Sequence, residues 1–361
     1  MPNAMRLSFT VLLTAAVSAA VLQAADVTNG LQKGKPDLKS AGALAFGPEG
    51  ILFVGDPQGA SVFAIDTASS KSEASPAPIN VKGIDGKVAA LLGTTEQDIR
   101  INGLAVNPHS GEAYLSVSRG KGPDAIPVIL RVNRDGEIVE FPLHDVKFAK
   151  VVLPNPAQGR GRQDSITHLA YVDGRLFIAG LSNEEFASRL RAIPFPFQQA
   201  DQGANVEIYH GSHGRFETNS PVRTFVSFEI RGEPYLLAAY TCTPLVKIPV
   251  SDLKPGARIK GTTIAELGNR NRPLDMIVYQ KDGKDFILMA NSSRGLMKIH
   301  TDNIDAIEAI TRHVNNKAGL SYDTIQGVKG VQHLDRLDKN HALLLIQADS
   351  GALNLETMPL P

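Results

Sequence analysis

Short apolar segments recur along the chain, and each one directly follows a polar turn. These segments are mostly four residues long and show little alternation of apolar and polar positions, at 51–54, 114–117, 176–179, 235–238, 286–289 and 343–346. A further strand-like segment precedes each turn, at 43–46, 103–106, 168–171, 224–227, 275–278 and 333–336. Two such segments around a turn rich in Gly, Asp or Asn predict a β-hairpin, so the chain predicts six hairpins.

The hairpins recur every 51 to 65 residues, which is room for four short strands and their turns. Third strands are visible at 62–65, 128–131, 246–248 and 296–299. Because the second strands lack alternation, both of their faces are expected to be buried, which favours sheets stacked around an axis over a simple sandwich. Amphipathic segments of helical length are missing between the strands, and this excludes a parallel βαβ fold.

The hairpins at 44–54 and 103–111 resemble those of a six-bladed β-propeller of the NHL-repeat or gluconolactonase-like kind, over about residues 40–360. The resemblance implies an all-β fold with four-stranded blades. The last unit ends soon after residue 355 and lacks an outermost strand. Since an open edge would expose unpaired backbone groups, we expect residues 26–39 to fill it, so that the mature N-terminus closes the ring.

The first 24 residues have the pattern of a secretory signal peptide. Arg6 precedes an apolar run from Leu7 to Val21, and Ala24 offers a small-residue cleavage point. A run of about 15 residues is too short for the roughly 20 that a membrane-spanning helix needs. We therefore expect export to the periplasm or the extracellular space, no membrane span, and a single propeller domain at 25–361.

Composition narrows the classes of partner. The 361 residues carry 37 basic and 37 acidic side chains, so the formal charge is zero and no nucleic-acid partner is implied. Cys242 is the single cysteine, which rules out an intramolecular disulfide. The fold must therefore be held together by packing.

In a propeller, the starts of the innermost strands and the loops after the second strands meet on one rim around the axis. That rim gathers side chains able to ligate a divalent cation: His168, Asp275 and His333, helped by Asn102, Asn183 and Asn291. Imidazole and carboxylate ligands suit a transition metal, whereas Asp and Asn ligands suit calcium. The same groups would also hydrogen-bond one another without any metal.

Gluconolactonase-like propellers carry an axial metal held by acidic and amide side chains. The resemblance therefore implies such roles for Asp275 and for one or two of the three asparagines. His168 and His333 depart from that pattern, as does Ala43, which begins the first unit without an acidic neighbour.

The favoured function is metal-assisted chemistry on a small molecule bound at this axial rim, in the manner of a hydrolase. Asp164 would act as the base, while Arg223 and Arg272 would hold a negatively charged substrate or oxyanion. Two alternatives stay open, a non-catalytic module that binds a ligand or a protein, and a copper or iron oxidoreductase.

Two other segments carry candidate chemistry. His210, His213 and Glu217 are spaced by three and four residues, but flanking glycines favour a polar turn over a helix, and a metal-ligand set is the alternative. The segment 183–197 ends in a proline-stiffened run around Phe195. We expect this run to be either a surface finger that docks a protein partner or the third strand of its unit.

Overall fold

The computed structural model describes residues 27–28, 30–69, 78–242 and 244–361. The predicted signal peptide, residues 1–24, lies outside these ranges. Up to residue 210, the strands are β1 (Gln32–Gly34), β2 (Leu44–Phe46), β3 (Ile51–Asp56), β4 (Ser61–Asp66), β5 (Ile99–Val106), β6 (Ala113–Arg119), β7 (Ile126–Val132), β8 (Ile138–Glu140), β9 (Val146–Val152), β10 (His168–Val172), β11 (Arg175–Leu181), β12 (Ser188–Pro194) and β13 (Ala204–His210).

After residue 210, the strands are β14 (Arg215–Glu217), β15 (Val222–Ile230), β16 (Glu233–Tyr240), β17 (Pro244–Pro249), β18 (Arg258–Leu267), β19 (Pro273–Lys281), β20 (Lys284–Asn291), β21 (Gly295–His300), β22 (Lys317–Gly319), β23 (Tyr322–Thr324), β24 (Val331–Arg336), β25 (His341–Gln347) and β26 (Leu353–Pro359). The described residues also form one α-helix, α1 (Ile84–Leu91), and the 3₁₀ helices Pro48–Gly50, Glu96–Asp98, Gly122–Asp124, Gly159–Ser165, Gly211–His213 and Val250–Asp252. No helix in these ranges is long and apolar enough to cross a membrane.

All six predicted hairpins are confirmed. They are the antiparallel pairs β2–β3, β5–β6, β10–β11, β15–β16, β19–β20 and β24–β25, and we number sheets 1 to 6 after them. The backbone conformation of the turns explains why the hairpins could be recognised in the sequence. Asp173 and Gly174 have φ values of 48° and 77°, and Asp282 and Gly283 have 51° and 74°. Positive φ at both central residues matches the twist of the two flanking strands, and Asp-Gly adopts it readily.

Additional strands extend each hairpin outwards. Sheet 1 has the strand order β2-β3-β4-β9-β1, and sheet 2 has β5-β6-β7-β8. Sheet 3 (β10 to β14) and sheet 4 (β15 to β18, with β22) are joined by a parallel pairing of β13 with β18. Sheet 5 is β19-β20-β21-β23, and sheet 6 is β24-β25-β26. Every residue of β3 is buried, as expected for a strand covered on both faces.

The innermost strands of the six sheets contact one another in a closed circle. The circle runs β2, β5, β24, β19, β15, β10 and back to β2, so the sheets follow one another around the axis as 1, 2, 6, 5, 4, 3. Core packing agrees, because Leu115 of sheet 2 shares a buried cluster with Leu343 of sheet 6, and Phe53 of sheet 1 shares one with Ile178 of sheet 3. This order differs from the order along the chain because sheet 2 is inserted between β4 and β9, which both belong to sheet 1.

The prediction that the N-terminus closes the ring at the last unit is corrected by the strand pairing. β1 instead pairs with β9 at the outer edge of sheet 1. The outer edge of sheet 6 is covered by residues 79–81, where Val81 and Leu355 exchange two backbone hydrogen bonds of 2.8 and 2.9 Å. Residues 79–81 come after β4 of sheet 1 and before β5 of sheet 2 along the chain. They can reach the outer edge of sheet 6 because sheet 6 is the next sheet around the axis after sheet 2. The architecture is all-β and propeller-like.

Candidate functional site

A channel runs along the axis and is lined by all six innermost strands. It has a volume of about 440 Å³, and we call it the axial channel; one lining residue from each strand is Ala45, Leu104, His168, Phe225, Asp275 and His333. At one end it opens into a wider cavity of about 1110 Å³, which we call the mouth. Asn102, Thr167, Leu274 and His333 line both cavities and mark where they meet.

The carboxylate of Asp275 lies between two imidazoles at this junction. Its Oδ1 is 3.6 Å from Nε2 of His168, and its Oδ2 is 3.5 Å from Nδ1 of His333. The same oxygens accept backbone N–H groups, Oδ1 from Met276 at 2.9 Å and Oδ2 from Leu334 at 3.3 Å. Asp275 is therefore held from its own strand and from β24, the neighbouring innermost strand.

The charge of Asp275 is stabilised by its neighbours. Burial raises the pKa of this carboxyl, but the imidazoles of His168 and His333 outweigh burial and hold its pKa at about 2. Asp275 is consequently an anion at neutral pH. His168 also packs edge-on against the ring of Phe225, with 4.9 Å between the ring centroids, so one side of its imidazole is covered by an apolar surface.

Asp335 is a channel-lining residue that the sequence analysis missed. Burial raises its pKa to about 6; the N–H groups of Val106 and Arg336 oppose this rise, and the charge of Asp275 adds to it. The signal was present in the sequence, since Asp335 is two residues after His333 in a predicted strand and therefore points to the same face. Two carboxyls in one channel thus have pKa values pushed in opposite directions.

The mouth carries more basic than acidic side chains. Its lining includes Lys39, Arg100, Lys121, Arg223 and Arg272 against Asp85, Glu96 and Asp164. Arg223 donates from Nη1 to Asp164 at 2.8 Å and from Nε to the hydroxyl of Thr241 at 3.1 Å, which fixes its guanidinium in place.

Arg272 stands close to the other mouth cations. Its pKa is lowered first by desolvation and then by Arg223 and Arg100, while Asp164 opposes the change. The three arginines therefore lie close enough to repel one another, and a bound anion would relieve that repulsion. The structure thus brings together three residues that the sequence analysis proposed for catalysis, namely Asp164, Arg223 and Arg272, at the mouth.

The three asparagines proposed as metal ligands are not brought together. Asn102 lines the junction, but its amide donates to the carbonyl of Ala41 at 2.9 Å and to the hydroxyl of Ser118 at 2.8 Å. Asn183 is exposed in a loop and donates its backbone N–H to Asn155. Asn291 is buried; its amide donates to Asn271 at 2.9 Å and its oxygen accepts the N–H groups of the following turn. Asn183 and Asn291 line neither cavity.

The segment around Phe195 is not a surface finger, so the predicted protein-docking role is corrected. Residues 188–194 form β12, the third strand of sheet 3, which was the alternative prediction. Phe195 is buried, and its ring centroid lies 5.0 Å from that of Phe53 and 5.2 Å from that of Phe197. Sheet 1 covers the apolar run, which agrees with the prediction of a third strand and not with that of a finger.

A second titratable cluster lies away from the axis, at the turn between β13 and β14. His210, His213 and Glu217 meet there although the segment is not a helix, because the hairpin folds Glu217 back onto both histidines. Imidazole contacts and the hydroxyl of Ser220 hold the pKa of Glu217 far below its usual range, against the opposing effect of burial. This cluster is separate from the axial channel.

Comparison with known proteins adds little to this geometry. No family model matches the chain, and no curated protein matches it. Similar solved structures include a PQQ-bound aldose sugar dehydrogenase from Streptomyces coelicolor (11% identity, 91% of this chain and 96% of that chain, TM-score 0.33). A streptogramin B lyase is 11% identical over 91% of this chain and 97% of that chain, with a TM-score of 0.31. Drosophila Plexin A in complex with Semaphorin 1b is 11% identical over 92% of this chain and 87% of that chain, with a TM-score of 0.40. Similarities this low assign the chain to no family, so the resemblance to NHL-repeat and gluconolactonase propellers concerns architecture alone.

Proposed function

We infer that the six sheets are the blades of a six-bladed β-propeller, and we propose that its mouth and axial channel bind a small anionic molecule on which His168 and His333 act as acid and base. The observation that carries the proposal is the carboxylate of Asp275, set between the two imidazoles at 3.6 and 3.5 Å where the channel meets the mouth.

The side chains of the mouth favour a negatively charged ligand. Five basic side chains against three acidic ones make it an attractive region for an anion, and a cavity wall of low dielectric strengthens that attraction. Arg223 is prepositioned by Asp164 and Thr241, so its guanidinium loses little freedom when it receives a carboxylate or a phosphate. Arg272 supplies a second donor group at the same opening.

The side chains at the junction of the channel and the mouth would transfer the proton. Asp275 is anionic and fixed by two backbone N–H groups, so it orients the imidazoles and stabilises whichever of them gains a proton. Asp335 has a pKa of about 6 and lines the same channel, so it exchanges a proton close to neutral pH. Such a transfer activates water for hydrolysis, whereas an oxidoreductase would also need an electron acceptor.

The metal-assisted form of this proposal requires a rearrangement. Among the described residues, the ligand atoms of His210, His213 and Glu217 all lie within 4.8 Å of one another. The axial residues His168, Asp275 and His333 do not form such a group. For all three axial groups to bind one ion, their ligand atoms would have to move closer together. The geometry therefore supports acid–base chemistry without a metal better than chemistry with one.

The test is a thermal-shift and turnover survey with small carboxylates, phosphates and phosphonates, each paired with a neutral amide or ester of the same shape. We expect one class of anion to raise the melting temperature of the parent and of the R312Q control, whose exposed arginine lies outside both cavities. The R223Q/R272Q variant should lose that shift. The H168A/H333A variant should still bind the anion but lose turnover.

Two results would change the assignment. An anion that stabilises R223Q/R272Q as well as the parent would contradict binding at the mouth. Binding at the mouth with no turnover of any ester, lactone or oxidisable analogue by the parent would identify the protein as a non-catalytic binding module, which is the competing function.

A further inference from the structure

The turn between β13 and β14 has the composition of a metal site. His210 is the last residue of β13, His213 ends the 3₁₀ helix that follows, and Glu217 is the last residue of β14. Gly214, with a φ of 65°, lets the chain reverse so that β14 folds back along β13. Two imidazoles and one carboxylate are therefore collected within eight residues.

The ligand atoms of the three side chains all lie within 4.8 Å of one another. Nδ1 of His210 lies 3.0 Å from Oε2 of Glu217, and Nδ1 of His213 lies 2.6 Å from Oε1 of the same carboxylate. A tetrahedral zinc ion with bonds of about 2.0 Å keeps its ligand atoms about 3.3 Å apart. Each of these two nitrogen–oxygen distances would need to lengthen by less than about 1 Å to accept such an ion. His213 is the side chain best able to move, because 42% of it is exposed.

Buried polar atoms without partners provide a second, independent observation. His210 is 2% exposed, and its Nε2 has no hydrogen-bond partner among the described residues. Glu266 is fully buried beside this turn. Its Oε1 accepts the N–H of Gly211 at 2.6 Å, while its Oε2 has no partner among the described residues. Such atoms cost free energy when buried unpaired. A cation bound through Nδ1 of His210 would leave Nε2, on the other side of the ring, unpaired, but it would provide a counter-charge for both carboxylates and would fix the ring.

We propose that His210, His213 and Glu217 bind one divalent transition-metal ion, with zinc the best match, in a site that clamps the β13–β14 hairpin. Imidazole nitrogen and carboxylate oxygen are ligands that zinc and its neighbours prefer, whereas calcium prefers oxygen alone. The site is independent of the axial channel.

The surroundings of the cluster are consistent with a structural clamp. Gly211 accepts the N–H of Val314 at 3.0 Å, so the turn is already tied to a distant part of the chain. Ser220 donates to Oε2 of Glu217 at 2.6 Å, which orients the carboxylate. Arg215 lies 3.4 Å from Oε1 and would oppose a cation, but its side chain is 71% exposed and can turn into solvent.

Calorimetric titration of zinc into the chelator-treated, dialysed protein tests the proposal. We expect one equivalent to bind and the melting temperature to rise. H213A changes an exposed side chain and should remain folded while its zinc affinity falls at least about tenfold. E217Q should also lose the site. H300A is the matched control, because His300 pairs with Asp323 at 2.8 Å outside any such group and should keep full affinity.

The H168A/H333A variant locates the site, since it removes the axial imidazoles and leaves the turn intact. The proposal predicts that this variant binds zinc like the parent, and that Co²⁺ in the parent gives a ligand-field spectrum that H213A abolishes. Zinc affinity that is unchanged in folded H213A, or lost in H168A/H333A, would overturn it, and so would the absence of stoichiometric binding by the parent.

Discussion

Oδ2 of Asp275 lies 3.5 Å from Nδ1 of His333, and the two residues stand on β19 and β24, which are neighbours around the axis. On its other side the same carboxylate faces His168 of β10. One buried anion thus couples side chains from three sheets. The contact is both a stabilising element of the ring and the centre of the proposed site.

Asp275 should make the fold more stable at neutral pH than in acid. Its pKa is about 2 in the folded chain, below the value of 3.8 usual for this group, so its contribution is fully present above about pH 4 and is lost as the pH falls through 2. A shift of this size corresponds to about 2 kcal/mol. Urea unfolding of the parent and D275N between pH 6 and 2.5 should therefore show a shallower acid dependence for the variant. Parallel curves would contradict the pairing with the two histidines.

Asp335 should have the opposite effect. Its pKa of about 6 lies above the usual 3.8, so the stability it favours is present below about pH 4 and is lost as the pH rises through 6. The difference amounts to about 3 kcal/mol. We expect D335N to remove a fall in unfolding free energy that the parent shows between pH 4 and 7. If the parent and D335N change equally over this interval, the pKa of Asp335 is not raised in the folded chain.

Proline substitutions should show which outer edge matters more for stability, that of sheet 6, covered by residues 79–81, or that of sheet 1, formed by β1. V81P removes the N–H that Val81 donates to Leu355 and should lower the free energy of unfolding by about 1–3 kcal/mol. K33P is the matched control, because Lys33 lies in β1, at the outer edge of sheet 1, and its loss should cost less. Equal melting temperatures for the two variants, or a larger loss for K33P, would argue against closure by residues 79–81.

Phe195 should behave as a core residue. Because its ring packs on Phe53 and Phe197 between sheets 1 and 3, F195A should cost about 3–5 kcal/mol in urea unfolding. F216A is a suitable comparison, since Phe216 is 52% exposed and should cost far less. A small loss in F195A would restore the surface-finger interpretation.

The hairpins were predictable from sequence because their signals are local. An apolar run such as 176–179 beside Asp173-Gly174 specifies two strands and their turn within a dozen residues. The order of sheets around the axis was not predictable, because it depends on β9 joining β4 across an inserted sheet and on Val81 pairing with Leu355, and neither contact has a local sequence signal.

The candidate site was also only partly predictable from the sequence. His168, Asp275 and His333 were found because each stands near the start of a predicted innermost strand. Asn183 and Asn291 were misplaced because a position after a second strand does not reveal that a loop turns outwards, or that an amide is already engaged within its own turn. Asp335 was missed because it lies within its strand, two residues after His333, and not at the strand start.

The most direct test of the central claim uses ¹⁵N-histidine-labelled protein and the anion that most stabilises the parent. NMR spectra should show the ring signals of His168 and His333 shifting on addition of the anion, with those of His109 and His341 unchanged. R223Q/R272Q should show no shift at the same concentration. Binding of the anion that leaves the rings of His168 and His333 unaffected would place the ligand elsewhere and contradict the proposed axial site.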